Sequence, residues 1–269
     1  MIPYPQIRPE IITIGPISVR WYGLMYVLGF LSTYYLAPRL PKARDIGLTS
    51  ERMQDLILYL AVGLVLGARL GFLVFYQYDN WSFYLKNPLE IIATWHGGMS
   101  FHGGFIGSVV AGWIFCRRTG LPFWGLADCV AVTAPIGLGL GRLGNFINGE
   151  LYGRPSTVPW AMIFPDGGPF PRHPSQIYEA LGEGVVLFAI LWWMSRRPRE
   201  SGVLVTALIF YYGAIRFFLE FFREPDENLG LLWRQWTMGQ VLCMAMMLVA
   251  VFLYWQRRIR RRPSADVRK

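Results

Sequence analysis

Seven runs of apolar residues, each close to the ~20 needed for a helix to cross hydrocarbon, divide the chain: Trp21 to Leu40, Leu56 to Tyr76, Phe101 to Cys116, Trp124 to Leu143, Pro174 to Met194, Val203 to Phe222 and Trp236 to Trp255. Nothing else in the sequence restricts the fold so strongly. In lipid every backbone N–H and C=O must be satisfied within the protein, which for a run of this length means an α-helix. The chain is therefore expected to be an all-α membrane protein of about seven transmembrane helices, with Phe101 to Cys116 the shortest. The composition agrees, since only 16% of residues are charged against roughly 25% in soluble domains.

The charges that remain are distributed unevenly. Arg39, Lys42, Arg44 and Arg52; Arg117 and Arg118; Arg196, Arg197 and Arg199; and Arg257, Arg258, Arg260, Arg261, Arg262, Arg268 and Lys269 form four clusters that hold sixteen of the 26 Lys and Arg residues. If seven spans alternate from an external N-terminus, all four clusters fall on the inner side, as the positive-inside bias requires. The same clustering accounts for the net charge of +9 without nucleic acid as a partner, because no basic stripe is left over. The external segments are then Met1 to Arg20, Gln77 to Ser100, Asn145 to His173 and Arg223 to Gln235. Pro155, Pro159, Pro165, Gly167, Gly168, Pro169 and Pro171 make the third a small irregular cap, at about 145–173. With no long linker or internal repeat, residues 1–269 are expected to form one polytopic domain. The opening Met1-Ile2-Pro3-Tyr4-Pro5 lacks the basic start of a cleaved signal, so the first apolar run is expected to be a retained span.

Gly63, Gly67 and Gly71 recur every four residues, and Gly103 with Gly107 and Gly137 with Gly141 repeat that spacing. These positions let helices approach closely where lipid offers no hydrophobic drive. Cys116, Cys129 and Cys243 form no C-x-x-C pair and read as small core residues.

Ionisable side chains inside spans are costly and mark functional sites by default. Here they are Arg69, His102, Arg142, Glu179, Glu183, Arg216 and Glu220. Alternating threading brings most of them to one level, near the outer headgroups, whereas a transport path would distribute polar groups through the midplane. Arg216, Glu220 and Arg223 follow i, i+4, i+7 spacing and share a helix face. Glu220 pairs with one of these arginines and leaves the other in surplus. Together with Arg142, the surplus arginine would form a two-guanidinium clamp matched to phosphate oxygens. Arg69 is expected to satisfy a helix-end carbonyl or a carboxylate. His102, flanked by glycines in Gly97-Gly98-Met99-Ser100-Phe101-His102-Gly103-Gly104, is reachable by a bulky substrate. With His96, His102 and His173 the only histidines and no H-E-x-x-H motif, neither a metal nor another cofactor is expected. The fourth span ends in Arg142, Asn145, Asn148 and Glu150, a polar run poorly explained as packing. A lipid transporter or scramblase binding the same headgroup is the alternative, although the sequence carries no inverted repeat.

Gly141-Arg142-Leu143-Gly144-Asn145-Phe146-Ile147-Asn148-Gly149-Glu150 resembles the signature of the bacterial prolipoprotein diacylglyceryl transferases. Trp21-Tyr22-Gly23-Leu24-Met25-Tyr26, the His102 block, Arg172-His173-Pro174-Ser175-Gln176 and Arg216-Phe217-Phe218-Leu219-Glu220-Phe221-Phe222-Arg223 are similar to its other blocks, in the family's order. Arg20 departs from the pattern, since many members place His before Trp-Tyr-Gly. The resemblance implies a multi-pass enzyme of the bacterial inner membrane with its N-terminus and cap in the periplasm. It would move the diacylglyceryl group of phosphatidylglycerol onto the lipobox cysteine thiol of a preprolipoprotein, releasing glycerol 1-phosphate. It further implies His102 as thiol base and Arg142 and Arg216 as phosphate-binding and catalytic cations. Tyr22, Asn145, Gly153 and Tyr212 would orient the lipid or peptide, and Glu150, Glu220 and Arg223 would support or gate the site.

Overall fold

The computed structural model describes residues 2–15, 17–94, 97–224, 231–232 and 236–259. His96 and the basic residues Arg260, Arg261, Arg262, Arg268 and Lys269 lie outside them. In chain order the main elements are β1 (Glu10–Ile14), β2 (Ile17–Arg20), α1 (Trp21–Leu36), α2 (Pro41–Ile46), α3 (Ser50–Tyr76), α4 (Trp81–Lys86), α5 (Leu89–Ile92), α6 (Phe101–Thr119), α7 (Phe123–Asn148), α8 (Ser175–Ser195), α9 (Val203–Leu219), β3 (Leu231–Leu232), β4 (Trp236–Thr237) and α10 (Met238–Ile259). Each of the seven apolar runs is helical. Four helices are long and apolar enough to cross a membrane, namely Ser50–Tyr76, Phe123–Asn148, Ser175–Ser195 and Met238–Arg257. Large apolar side chains such as Leu66, Leu70 and Phe75 stay exposed along α3, where a water-soluble helix would carry polar groups.

The all-α expectation needs one correction. Two short antiparallel pairs, β1–β2 and β3–β4, are present among the described residues. The first forms because Ile11, Ile12, Thr13 and Val19 are β-formers next to a turn glycine, Gly15, at φ +59°. Helix ends also differ from the hydropathy limits. α7 runs past Leu143 to Asn148 and stops at Gly149, whose φ of +72° ends the helix, so Asn145 and Asn148 are helical and the cap begins after them. α10 begins after Trp236 because Thr237 and Gln240 cap one another. The Gln240 amide N–H donates to Thr237 Oγ1 and the Thr237 amide N–H to Gln240 Oε1, both at 3.1 Å.

The described chain forms two compact units, one of Met1–Lys42 with Ala127–Lys269 and one of Ala43–Leu126. In the second, α3 and α6 meet backbone to backbone through the expected glycines. A Cβ added at Gly67 or Gly71 would stand 2.7 Å from Gly107 Cα or Gly103 Cα, closer than packing allows, so only glycine permits this contact. Arg69, buried on the same helix, donates to the carbonyls of Ile91 (2.9 Å), Gly97 (2.8 Å), Gly98 (3.0 Å) and Glu90. It thereby satisfies helix-end and turn carbonyls of the segment leading to α6. In the first unit, buried Asp128 of α7 accepts the amide N–H groups of Gly202 (2.6 Å) and Val205 (2.9 Å), capping α9 from a neighbouring helix.

Candidate functional site

Three glycines determine how α7, α8 and α9 meet. A Cβ at Gly139 of α7 would lie 2.8 Å from Gly184 Cα of α8, and the reverse contact is the same. Gly182 faces α9, where a Cβ would meet Ile215 Cγ2 at 2.8 Å. Between these contacts, Ala180–Val186 winds as a π-helix, a feature that recurs at functional sites because it re-aims side chains. Arg142, one turn beyond Gly139, and Glu183, next to Gly184, are therefore brought together at the closest point of the two helices.

The result is a buried cluster of ions. Arg142 Nη1 lies 2.9 Å from Glu179 Oε2 and Arg142 Nε donates to Glu183 Oε2 at 3.0 Å. Arg216 Nη1 donates to Glu179 Oε1 at 2.8 Å, Arg216 Nη2 lies 2.7 Å from Glu220 Oε2, and its Nε is 3.7 Å from Glu183 Oε1. Arg223 Nη1 reaches Glu179 Oε1 at 3.5 Å. Glu220 Oε1 also accepts the Thr237 hydroxyl at 3.0 Å. Glu179 and Glu183 are 1% and 0% exposed, while the Arg142 side chain retains 19%. Arg142 thus meets a carboxylate through Nε and another through Nη1, and its side chain is the most exposed of the three arginines, at 19% against 12% for Arg216 and 13% for Arg223.

The structure thus brings Arg142, Arg216, Glu220 and Arg223 into one place, and it corrects the expected arithmetic. Among the described residues no arginine is in surplus: three guanidiniums face three carboxylates. The missing partners are Glu179 and Glu183 of α8. Their signal was present as two carboxylates four residues apart in an apolar run, but which arginine each meets depends on helix rotation. Tyr212, one turn before Arg216 on α9, interacts electrostatically with Glu183, Arg142 and Arg216.

Around this cluster the remaining residues support the backbone. Asn145, one turn beyond Arg142, donates to Glu150 Oε1 at 2.8 Å, as does Asn148 at 3.1 Å. The Gln176 side chain donates to the Glu150 carbonyl at 2.7 Å, tying the end of α7 to the start of α8. The Tyr22 ring covers Gly144, where a Cβ would come 2.7 Å from Cδ2, and its hydroxyl faces that of Tyr26 at 3.5 Å. Gly153 sits where three chain segments cross. Its N–H donates to the His173 carbonyl at 2.9 Å, it bridges to Arg223, and a Cβ would lie 2.8 Å from His173 Cβ. The absence of a side chain there is a packing requirement that also positions Arg223. His173 Nδ1 faces the Tyr178 hydroxyl at 3.1 Å, and partial burial lowers its pKa from the ordinary histidine range. Tyr4 donates to the Phe146 carbonyl at 2.6 Å and closes the end of α7 from the N-terminal segment.

His102 belongs to the other unit. It is the second residue of α6, exposed, with its ring edge-on to Phe101. Ser100 caps this helix by accepting the Gly103 N–H at 3.3 Å. Arg20 is exposed and stands 3.9 Å from Glu10 across the hairpin. Among the described residues no group of three or more His, Cys, Asp or Glu side chains could hold a metal ion.

Residues 9–256 match the family model described as prolipoprotein diacylglyceryl transferase. Relatives named phosphatidylglycerol–prolipoprotein diacylglyceryl transferase include one from Geobacter sulfurreducens, 51% identical over 92% of this chain and 94% of its own. Another from Pseudomonas paraeruginosa is 48% identical over 98% of this chain and 100% of its own. A third, from Nitratidesulfovibrio vulgaris, is 49% identical over 94% and 95%.

Proposed function

The chain belongs to the prolipoprotein diacylglyceryl transferase family, and from that premise we propose that it transfers the diacylglyceryl group of phosphatidylglycerol to the lipobox cysteine of preprolipoproteins, the first step of lipoprotein maturation. The observation that carries the site assignment is the convergence of Arg142, Arg216 and Arg223 in one buried cluster, with the Arg142 side chain the most exposed of the three. Guanidinium N–H groups pair with phosphodiester oxygens through charge-assisted hydrogen bonds.

The cysteine thiolate attacks the terminal glyceryl carbon of the lipid, a carbon–sulfur bond forms, and the carbon–oxygen bond to phosphate breaks. The electron pair leaves on the phosphate, which departs as glycerol 1-phosphate while its charge rises from −1 to −2. Fixed guanidiniums stabilise that growing charge, and a low-dielectric surrounding makes them more effective than in water. A thiol with a pKa near 8.5 is mostly protonated at neutral pH, so a base raises the reactive fraction. His102 is assigned that role on the strength of its sequence block, and Asn145, Tyr22, Tyr212 and Gly153 are assigned to lipid or peptide positioning on the same ground. Glu150, Glu220 and Arg223 hold the surrounding charges in place. All seven apolar helices cross the inner membrane in this reading, with the N-terminus and the cap in the periplasm and the C-terminus in the cytoplasm, as the basic clusters favour.

Purified protein incubated with phosphatidylglycerol and a lipobox peptide is expected to give diacylglyceryl peptide and an equal amount of glycerol 1-phosphate. A transporter or scramblase using the same arginines would give neither product and would only move labelled lipid between leaflets.

A further inference from the structure

Among the described residues the ion cluster contains as many carboxylates as guanidiniums, and one carboxylate is placed unlike the others. Glu179 sits between all three arginines, at 2.9 Å from Arg142, 2.8 Å from Arg216 and 3.5 Å from Arg223, and it is 1% exposed. A carboxylate at the centre of an anion site opposes the anion. If binding strength alone were the requirement, three unopposed arginines would hold a phosphate far more tightly.

We propose that Glu179 tunes this site for charge: it offsets part of the arginines' attraction, so that the dianionic phosphomonoester formed here is not retained as tightly as three unopposed arginines would retain it. The inference rests on the transfer reaction proposed above and deepens it. Glycerol 1-phosphate, with a second pKa near 6, carries close to two charges at pH 7.5. The interaction of a fixed charge with a ligand scales with the ligand's charge. Glu179 therefore offsets about twice as much attraction for the product as for the substrate, which speeds product release relative to a site without it. Its partner Glu183, 3.0 Å from Arg142 and 3.7 Å from Arg216, acts in the same direction over two arginines.

The test uses the full-length protein in detergent with phosphatidylglycerol, a lipobox peptide and glycerol 1-phosphate as inhibitor. Glu179→Gln, which keeps the side-chain shape and removes the charge, is expected to be inhibited by about tenfold lower glycerol 1-phosphate at pH 7.5. Its kcat should fall because product leaves more slowly, and its KM should fall as well, because the charge that opposed the substrate phosphate is gone. Glu179→Asp keeps the charge and should retain the wild-type inhibition constant. At pH 5, where the product is largely monoanionic, the difference between Gln variant and wild type should shrink. For a variant too slow to assay, calorimetric titration with glycerol 1-phosphate reads the same tightening without turnover, and Glu183→Gln provides a second position. Equal or weaker product binding by Glu179→Gln, with wild type active, would overturn this inference alone. A wild-type protein that neither transfers lipid nor binds glycerol 1-phosphate would remove the proposed function and this inference together.

Discussion

Replacing Gly184 by alanine tests whether the α7–α8 contact sets the geometry of the site. The new Cβ would stand 2.8 Å from Gly139 Cα, whereas carbon atoms pack at about 3.5 Å, so the helices must separate by ~0.7 Å. Backbone meets backbone here, and no flexible side chain can absorb the shift. Glu183 is the adjacent residue and Arg142 lies one turn from Gly139, so the 3.0 Å bond from Arg142 Nε to Glu183 lengthens to ~3.7 Å. At an effective dielectric constant of about 20 that weakens the attraction by ~1 kcal/mol. Partial loss of a charged hydrogen bond adds about as much again. A total of ~2 kcal/mol, if expressed in the transition state, slows transfer about thirtyfold. The assay is initial-rate transfer to a lipobox peptide, with thermal unfolding in detergent run in parallel. Gly139→Ala should behave alike because the contact is mutual. Gly137→Ala, whose Cβ would find its nearest neighbour, Gly29 Cα, at 3.8 Å, should remain near wild type. Full activity of both Gly184→Ala and Gly139→Ala would refute the argument that this close approach positions Arg142.

Arg142→Lys should lose transfer nearly as completely as Arg142→Ala, because a point charge on a flexible stem loses the planar multi-donor geometry of the guanidinium; product assay with retained membrane insertion checks it. His102→Gln should slow transfer at least a hundredfold at neutral pH, and a near-normal rate would remove His102 as the base. Arg69→Met should lower stability by about 2–4 kcal/mol, because it strips the donor from the carbonyls of Ile91, Gly97, Gly98 and Glu90. The midpoint of unfolding should move while glycerol 1-phosphate binding in the folded fraction does not. His173 has a depressed pKa in the folded protein, so the unfolded chain takes up its proton first as pH falls. Stability from this residue is then complete above the ordinary histidine value of about 6.5 and declines below it. Melting curves between pH 7.5 and 5 should show that decline in wild type and less of it in His173→Gln.

Much of the fold can be read directly from hydropathy. The requirement that backbone groups in lipid pair within their own segment makes each long apolar run a helix whatever its neighbours, and all seven runs from Trp21 to Trp255 are helical. The glycines of α3 and α6 were equally legible, because spacing every four residues marks one face. Ends were less so. Asn145 and Asn148 remain helical and Thr237 with Gln240 starts a helix late, since hydropathy is blind to caps and to polar residues that continue a helical ladder.

The site divides along the same physical line. Its arginines announced themselves, because a charge in an apolar run is expensive enough to demand a reason. The sequence motifs placed Arg142, Arg216, Glu220 and Arg223 in one group. The pairing could not be read there. Glu179 and Glu183 belong to α8, and they reach Arg142 only because Gly139 and Gly184 let two helices touch and a π-wound turn rotates the carboxylates inward. Local chemistry determined which charges the chain would have to bury. Helix rotation and approach, which depend on contacts far apart in sequence, decided which carboxylates each arginine would meet.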